Sequence, residues 1–309
     1  MKKKIVLAGS LNMDMVMKVD HHPVPGETIL ASGLNYNPGG KGANQAFAVG
    51  RLGGNIQMIG CVGQDDNGRA LKANLARANV DTSTVVELPD VPTGLAAITV
   101  DSKGENAITV VSGANFALTP AMVESMEEVV ASADFVMTQL ETPLDTVMCL
   151  ARLAKKYGKT MILDPAPAVP NLPAELLAMV DLMKPNETEL GILTGMPTET
   201  VEEVAAAAAV LIGKGVRHVI VTLGGKGAVL NDASGYQVIP GHKVEVVDTT
   251  AAGDSFTAAV VNGLAEGMEL EEAICFAHTI SAIVVTRPGA QSSVPNAEEV
   301  KKVLAEFGR

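Results

Sequence analysis

Residues 248–259 read DTTAAGDSFTAA, a turn of small residues that leads directly into a helical pattern. Apolar side chains recur at helical spacing after this turn, at Phe256, Val260 and Leu264. This spacing predicts a helix that begins near Ala252, and the free N–H groups of its first turn, together with the helix dipole, favour a bound anion such as phosphate. Asp254 places a carboxylate within reach of a hydroxyl that attacks this anion, so the stretch indicates phosphoryl transfer to an alcohol. Read alone, it is explained equally well by Asp254 as a plain N-cap and Gly253 as a plain turn residue.

Length, composition and charge limit the fold and the partners. The chain has 309 residues, 47% of them hydrophobic, which predicts one large core and a single α/β domain over residues 1–309. The formal net charge of -12 argues against nucleic-acid binding. The three cysteines are far apart and form no CxxC pair, which predicts reduced thiols and a cytoplasmic protein. The apolar runs 5–8 and 204–213 are too short for a signal-peptide core or a membrane span, so we expect no membrane association.

The chain after residue 130 alternates short apolar runs with helical patterns. The runs read as buried strands at 135–140, 161–163, 182–183 and 219–223. Helices are predicted from Pro143 to about Tyr157 and from Val201 to Lys214. This order predicts a doubly wound, mostly parallel sheet flanked by helices, with ligands at the carboxyl ends of its strands.

The first 115 residues instead read as strands joined by turns. These strands are predicted at 13–19, 27–35, 95–101 and 106–111. We expect them to form a small sheet from about residues 13–36 and 94–112 that stands off the main domain. Such a sheet can close over a substrate as a lid, and its exposed edge can pair with a second subunit.

A glycine-rich run, PGGKGANQ at residues 38–45, leads into another helical pattern. It is suited to holding an anionic or hydroxyl-bearing ligand against backbone N–H groups, and Asn44 can both donate to and accept from a sugar hydroxyl. The run lacks the spacing of a P-loop and of a dinucleotide fingerprint. A flexible loop with a polar helix start is the alternative.

Three polar residues follow predicted strands near the amino terminus and the middle of the chain. Asn12 and Asp14 flank Met13 and share one face, where an amide and a carboxylate can grip neighbouring hydroxyls. An ordinary solvated strand end explains that pair about as well. Glu141 lies just beyond the predicted strand 135–140, either at the ligand edge of the sheet or simply as a first-turn helix acid.

Two further motifs suit a nucleotide and its metal. Asn186 and Glu189 lie three apart at a predicted helix start, which suits a hydrated Mg²⁺ and also a capping box. The run TLGGKG at 222–227 ends an apolar strand in a glycine turn that can wrap a nucleotide or form a plain hairpin. His278 lies in an apolar helical pattern, where a core or surface histidine is the default reading.

Together these motifs, in their order along nearly the whole chain, resemble the ribokinase family of carbohydrate kinases. The resemblance implies that Asp254 is the base for a primary sugar hydroxyl and that the helix start at Ala251, Ala252 and Gly253 stabilises the transferring phosphoryl group. It implies sugar contacts from Asn12, Asp14, Gly40, Lys41, Asn44 and Glu141. It implies ATP contacts from Asn186, Thr222, Gly224, Gly227 and His278, with Mg²⁺ arranged by Asn186 and Glu189. It also implies an activating K⁺ enclosed by Asp248, Thr250, Val284, Arg287, Gly289 and Ser293.

The expected activity is therefore ATP-dependent phosphorylation of the 5-hydroxyl of ribose, or of 2-deoxyribose or another furanose. Met13 is bulky where the family often has a small residue, which leaves the acceptor sugar open. The resemblance further implies a homodimer formed through the small sheet. An inactive sugar-binding regulator and a nicotinamide-dependent oxidoreductase are the rivals, and the lack of a GxGxxG run after the first strand disfavours the second.

Overall fold

The computed structural model describes residues 2–306, and within them the strands form two separate sheets. The strands are β1 (Lys4–Ala8), β2 (Asn12–Lys18), β3 (Gly33–Gly39), β4 (Asn55–Gly63), β5 (Asp81–Leu88), β6 (Gly94–Val100), β7 (Asn106–Val111), β8 (Phe135–Thr138), β9 (Thr160–Leu163), β10 (Leu182–Met183), β11 (His218–Thr222), β12 (Ala228–Asp232) and β13 (Gly235–Ile239). The helices are α1 (Lys41–Arg51), α2 (Asp66–Arg77), α3 (Pro120–Ser125), α4 (Glu127–Ala131), α5 (Leu144–Lys156), α6 (Ala174–Leu177), α7 (Glu187–Thr194), α8 (Val201–Gly213), α9 (Ala252–Glu266), α10 (Leu270–Val285) and α11 (Ala297–Glu306).

The main sheet has nine strands in the order β13-β12-β11-β10-β9-β8-β1-β4-β5. All neighbours from β11 to β5 pair in parallel, and β12 and β13 add an antiparallel edge. Successive strands run outward from β1 in one direction and from β8 in the other, so the strand order reverses between these two strands. A ligand site is expected at the carboxyl ends of the strands around this switch point.

Both faces of the main sheet are covered by helices, because its central strands are apolar on both sides. In β1, Ile5 and Leu7 belong to one buried cluster, while Val6 and Ala8 belong to the other. The first cluster includes α9 and α10, and the second includes α5 and α8. The predicted α/β, doubly wound, mostly parallel fold is confirmed.

The predicted elements of the main sheet are close to those observed. The helix predicted to begin near Ala252 begins at that residue, and the two helices predicted earlier in the chain are α5 and α8. β8 ends at Thr138, two residues before the predicted end, because the chain leaves the sheet there and Leu140 N donates to Ala166 O at 3.0 Å. No helix within residues 2–306 combines the length and the apolar character that a membrane span requires.

The small sheet has four strands in the order β3-β2-β6-β7. Three of its strands were predicted to within a residue at each end, but the strand predicted at 27–35 is wrong. The observed β3 begins at Gly33, which pairs with Lys18, the last residue of β2. Ser32 N still donates to Lys18 O at 2.8 Å, and residues 27–31 extend beyond the end of β2. β3 also continues to Gly39, so only Gly40 separates this strand from α1.

Candidate active site

The amino terminus of α9 lies at the floor of a large cleft. Ala251 precedes the helix with a φ of 57°, a left-handed conformation that alanine rarely adopts. Asp254 lies in the first helical turn and is buried. A strained residue that immediately precedes a helix start and a buried carboxylate is the kind of outlier that points to a functional site.

Asp254 is held by two amide side chains from the first turn of α1. Asn44 Nδ2 donates to Asp254 Oδ2 at 2.9 Å, and Gln45 Nε2 approaches Asp254 Oδ1 at 3.3 Å. Burial raises the pKa of Asp254 above its ordinary value, and Asp164 adds to this, while Lys41 opposes it. A carboxylate with a raised pKa in a cleft is suited to accepting a proton from a hydroxyl.

A buried ion pair adjoins Asp254. Lys184 Nζ lies 3.2 Å from Asp164 Oδ2, and Gln45 Nε2 donates to the same oxygen at 2.8 Å. Both charged side chains are almost fully buried. A Cβ added at Gly253 would lie 3.3 Å from Lys184 Nζ, so this ammonium group faces the helix start. The turn thus combines helix N–H groups with a fixed positive charge, as an anion site requires.

The polar residues predicted around a sugar gather where the small sheet meets the main sheet. Glu141 Oε2 accepts from the Lys41 backbone N at 3.1 Å. Asp14 lies against Gly39, where an added Cβ would be 2.1 Å from Asp14 Oδ2. Burial, with contributions from Glu141 and Asp254, raises the pKa of Asp14 to about 7. Glu141 and Asp254 are therefore close enough to Asp14 to favour its protonated form.

Asn12 and Gly40 complete this group. Asn12 is buried, and its Oδ1 accepts from Asn115 Nδ2 at 2.7 Å, so its own amide N–H groups point elsewhere. Gly40 has a φ of 88°, and an added Cβ would lie 2.7 Å from Asn12 N. Glycine is required at this position for both reasons. Met13 does not share this face, since it belongs to the buried cluster that includes Ala43.

The large cleft has a volume of about 720 Å³. Predicted site residues line it, namely Lys41, Asn186, Glu189, Thr222, Gly224, Gly227, Ala251, Ala252, Gly253, Asp254 and His278. This volume lies within the range of small-molecule sites, for which roughly 300–1,000 Å³ is typical. The structure thus brings the predicted nucleotide residues to the same cavity as Asp254.

Asn186 and Glu189 form the capping box that the sequence left open as one interpretation. Glu189 N donates to Asn186 Oδ1 and Asn186 N donates to Glu189 Oε2, each at 2.8 Å. Burial raises the pKa of Glu189. Both side chains border the cleft, so capping α7 also fixes two oxygen-bearing groups there.

The glycine turn and His278 shape the far end of the cleft. Gly227 has a φ of 110°, and an added Cβ would lie 2.1 Å from Ile239 O, so only glycine fits. The His278 ring packs edge-on against Phe256 with centroids 5.2 Å apart. Burial lowers the pKa of His278 to about 4, with a contribution from His242, so the ring is neutral at pH 7. His278 is both buried and part of the cleft wall.

The segment after α10 is tied to the turn before α9. Asp248 Oδ2 accepts from Gly289 N at 2.8 Å, and Asp248 Oδ1 accepts from Thr250 N at 2.9 Å. Partial burial would raise the pKa of Asp248, but these hydrogen bonds hold that pKa below its ordinary value. Asp248, Thr250 and Gly289 are thus brought together.

The other predicted cation residues lie in the last turn of α10 and in the segment that follows it. Val284 O accepts from Arg287 N at 3.1 Å, and Ser293 Oγ donates to Ala290 O at 2.6 Å. Within residues 2–306, no group of three or more His, Cys, Asp and Glu side chains is placed to hold a metal ion. A cation here would have to be held largely by backbone carbonyls.

Sequence reasoning missed several buried polar residues of the site. Gln139, Asp164 and Lys184 each directly follow a buried parallel strand, β8, β9 and β10 respectively. The carboxyl ends of those strands lie at the ligand edge of the sheet, so this position was itself a usable signal. Gln45 carries no such signal, because it reads as one more residue of a helix start.

Comparison with known proteins extends the resemblance from motifs to the whole chain. The sequence profile of the pfkB family carbohydrate kinases matches residues 2–297. The ribokinase of Haemophilus influenzae is 40% identical over 304 residues, which cover 98% of this chain and 99% of that one. The deoxyribokinase of Salmonella typhi is 35% identical over 301 residues, covering 97% and 98%. The structure of Arabidopsis thaliana ribokinase complexed with ribose and ATP superposes with a TM-score of 0.94 at 37% identity, covering 98% of this chain and 99% of that one. The chain therefore belongs to the pfkB family of carbohydrate kinases, and the resemblance predicted from its motifs is confirmed.

Proposed function

We propose that the protein transfers the γ-phosphoryl group of ATP to the 5-hydroxyl of ribose. The observation that carries this proposal is the buried carboxylate of Asp254, which lies in the first turn of α9 between the large cleft and the polar group around Asp14. The relatives named ribokinase, and the related structure that holds ribose and ATP, support this substrate pair.

We infer that the sugar lies between the small sheet and the start of α1. Asn12, Asp14, Gly40, Lys41, Asn44 and Glu141 would contact its hydroxyls. Carboxylates and amides in this mixture can accept from and donate to a ring of hydroxyl groups. Asn44 also donates to Asp254 at 2.9 Å, so one side chain links sugar binding to the reacting hydroxyl.

ATP would occupy the large cleft, with its phosphates directed at the start of α9. Asn186, Thr222, Gly224, Gly227 and His278 would border the nucleotide. With few aromatic residues in the chain, 3% in all, aliphatic surfaces and backbone would hold the base. Asn186 and Glu189 offer hard oxygen donors that suit Mg²⁺, and they would hold the ion through its waters. When bound, Mg²⁺ supplies charge neutralisation on the phosphates.

A K⁺ ion is supported by the segment around Asp248. Asp248, Thr250, Val284, Arg287, Gly289 and Ser293 would enclose it, mostly through backbone carbonyls. A carboxylate with a pKa below its ordinary value among carbonyl groups is a fitting donor set for a monovalent cation. When bound, the ion supplies positive charge behind the phosphate-binding turn.

In the reaction, Asp254 accepts the proton of the sugar hydroxyl as its oxygen attacks the γ-phosphorus of ATP, while the bond from that phosphorus to the bridging oxygen breaks and ADP leaves. The N–H groups at Ala251 and Gly253 would stabilise the charge that develops on the phosphoryl oxygens. Ala252 N donates to Thr249 O at 3.2 Å and would join them only by giving up that hydrogen bond. Lys184 remains next to this turn because Asp164 holds it there. Closure of the small sheet over the sugar would exclude water from the acceptor position.

2-Deoxyribose is the second candidate acceptor. The Salmonella typhi deoxyribokinase supports it, and Met13 is the local feature that leaves the acceptor sugar open. Because Met13 is buried in the core and not on the face of Asn12 and Asp14, it would act by shifting β2 and not by contacting the sugar.

A coupled ADP-release assay tests the proposal. Purified protein with Mg-ATP would be offered ribose, 2-deoxyribose, arabinose, xylose, fructose and adenosine, in potassium and in sodium buffers. Turnover selective for ribose and faster in potassium is expected. Turnover with 2-deoxyribose alone would favour the second candidate, and no turnover in folded protein would favour the inactive sugar-binding regulator.

We also propose a cytoplasmic homodimer that forms through the small sheet and binds no nucleic acid. Apolar side chains on this sheet are more than half exposed, at Leu34, Tyr36, Ile108 and Val110. The strand register places Leu34 and Tyr36 on one face of the sheet and Ile108 and Val110 on the other. Exposed apolar residues on strands with free edges favour contact with a second copy. Gel filtration should give twice the monomer mass, and Val110→Asp should shift it to the monomer. A stable wild-type monomer at micromolar concentration would contradict the proposal.

A further inference from the structure

A directed chain of amides reaches Asp254 from α2, beginning at the half-buried Asn74 and continuing through the buried Gln291 and Asn44. Asn74 Nδ2 on α2 donates to Gln291 Oε1 at 2.6 Å. Gln291 Nε2 donates to Asn44 Oδ1 at 3.1 Å, and Asn44 Nδ2 donates to Asp254 Oδ2 at 2.9 Å. Each amide accepts on one side and donates on the other, so all the hydrogen bonds run towards the carboxylate.

The direction matters because an amide side chain has two unlike faces. With its Oδ1 occupied by Gln291, Asn44 must present its N–H group to Asp254. If Asn44 turned over, its carbonyl oxygen would face the carboxylate, and the pair would repel. Asn44 and Gln291 are both buried, so water does not readily replace the missing donor. The hydrogen bond from Gln291 therefore fixes the orientation of the Asn44 amide, so that its N–H group and not its carbonyl oxygen is directed at Asp254.

Gln291 lies in a turn that has a second connection to the site. It begins the 3₁₀ turn Gln291–Ser293 that follows α10. Gly289, two residues earlier, donates to Asp248 at 2.8 Å. The segment 287–293 is thus fixed both to the strained turn before α9 and, through Gln291, to the carboxylate within α9.

We infer that Gln291 is a positioning residue for phosphoryl transfer, which acts on Asp254 by fixing the orientation of Asn44. The inference rests on the proposed function, since it concerns how the base of that reaction is held. Gln291 need not touch either substrate. Its effect should appear in kcat and in the pH dependence of kcat, more than in the KM for the sugar.

Other charged groups also act on Asp254 and must be separated from this effect. Asp14 faces it from β2, Lys41 from the start of α1, Asp164 from the end of β9 and Lys184 from the end of β10. None of them is a partner of Gln291 in the amide chain. Substitution of Gln291 should therefore leave their contacts in place.

Two variants test the inference through opposite chemistry. Gln291→Leu removes the donor to Asn44, which leaves Asn44 free to turn its carbonyl oxygen towards Asp254. Because this weakens the Asn44 hydrogen bond to a charged group, kcat should fall about 10-fold. Gln291→Glu keeps an acceptor for Asn74 but turns an anionic oxygen to Asn44 Oδ1, which drives Asn44 to turn over. The fall in kcat should then approach about 100-fold.

The pH profile separates positioning from structural damage. Loss of the hydrogen bond to the ionised form favours protonated Asp254, so the acid limb of kcat should move to higher pH. Raising the assay pH should restore part of the rate of Gln291→Glu. Ser292→Ala, at the exposed neighbouring position in the same turn, is the matched control and should keep the wild-type profile.

A double-mutant cycle with Asn44→Ala completes the test. If Gln291 acts through Asn44, Gln291→Glu should change kcat little in the Asn44→Ala background. An undiminished effect in that background would overturn the inference, as would wild-type kcat and pH profile in both folded Gln291 variants. If Gln291→Leu does not fold, Asn74→Leu replaces it, and a smaller fall in kcat is expected. An unchanged pH profile of kcat in that variant would count against the inference. No turnover by the wild-type protein would instead refute the proposed function.

Discussion

Replacement of Asp254 by asparagine tests the proposed chemistry most directly. The substitution keeps the size of the side chain but removes its ability to accept a proton. General base catalysis contributes about 10²- to 10⁴-fold to such reactions, so kcat should fall by that factor. In free energy this is a loss of about 3–5 kcal/mol of transition-state stabilisation. Lys184 and the N–H groups of α9 remain, and they should support the residual rate.

The same substitution should change stability much less than it changes kcat. Asn44 and Gln45 both donate to Asp254, so the new amide must turn its own N–H group towards one of them. One lost hydrogen bond of this kind costs about 1–3 kcal/mol. Removal of a buried negative charge beside Asp164 offsets part of that cost, because burial already disfavours the charged carboxylate.

The assay is initial-rate ADP release with ribose and Mg-ATP, together with ribose affinity by calorimetry and a urea unfolding curve. Ribose affinity should stay within a few-fold of wild type, since the substitution leaves the other proposed sugar contacts unchanged. Asp134→Asn is the matched control: Asp134 is exposed and accepts from Lys4 N at 2.7 Å, far from the cleft, so turnover should not change. Turnover of Asp254→Asn within 10-fold of wild type would remove Asp254 from the role of base.

Three more perturbations have outcomes that follow from the structure. Because the pKa of Asp14 is raised, the folded protein binds this proton more tightly than the unfolded chain, and stability without ligand should fall as pH rises from about 4 through about 7. The urea midpoint should depend less on pH in Asp14→Asn than in the wild type, and the same pH dependence in both proteins would contradict this. Lys184→Met leaves Asp164 buried without its cation and should lower the free energy of unfolding by about 3–5 kcal/mol. The double variant Lys184→Met/Asp164→Leu should recover stability, whereas an unchanged urea midpoint in Lys184→Met would contradict this reasoning. Asp248→Ala should reduce the ratio of kcat in potassium to kcat in sodium towards one, and an unchanged ratio would place the cation elsewhere.

The fold was predictable where a single segment carries its own pattern. α9 begins at Ala252 as predicted, because small residues followed by helical spacing are a local signal. β3 was misplaced because its bounds depend on where another strand ends: Gly33 can pair only because Lys18 is opposite it. The sequence between residues 27 and 39 contains no mark of that limit.

The site was predictable where a residue type is chemically unusual for its place, and less so where its meaning lies in a distant partner. Asp254 was found from its turn, yet the amides that hold it come from positions more than 200 residues earlier in the chain. In the sequence, Lys184 is only a lysine at the end of a strand, and its ion pair with Asp164 becomes visible only in the structure. For Asn186 and Glu189, the capping interpretation is observed, and their part in holding Mg²⁺ stays a prediction.

The chain passes between the two sheets four times, from β1 to β2, from β3 to α1, from β5 to β6 and from β7 to the turn at 113–117. Two of these connections place Asn12 and Gly40 side by side. The joint between the sheets and the wall of the proposed sugar pocket are therefore made of the same residues. A tilt of the small sheet would change the distance between Asp14 and Asp254. If the proposed sugar site and lid are right, acceptor choice and closure of the sheet could not vary independently during evolution. A substitution that widens the pocket for a larger sugar would also change how the small sheet moves.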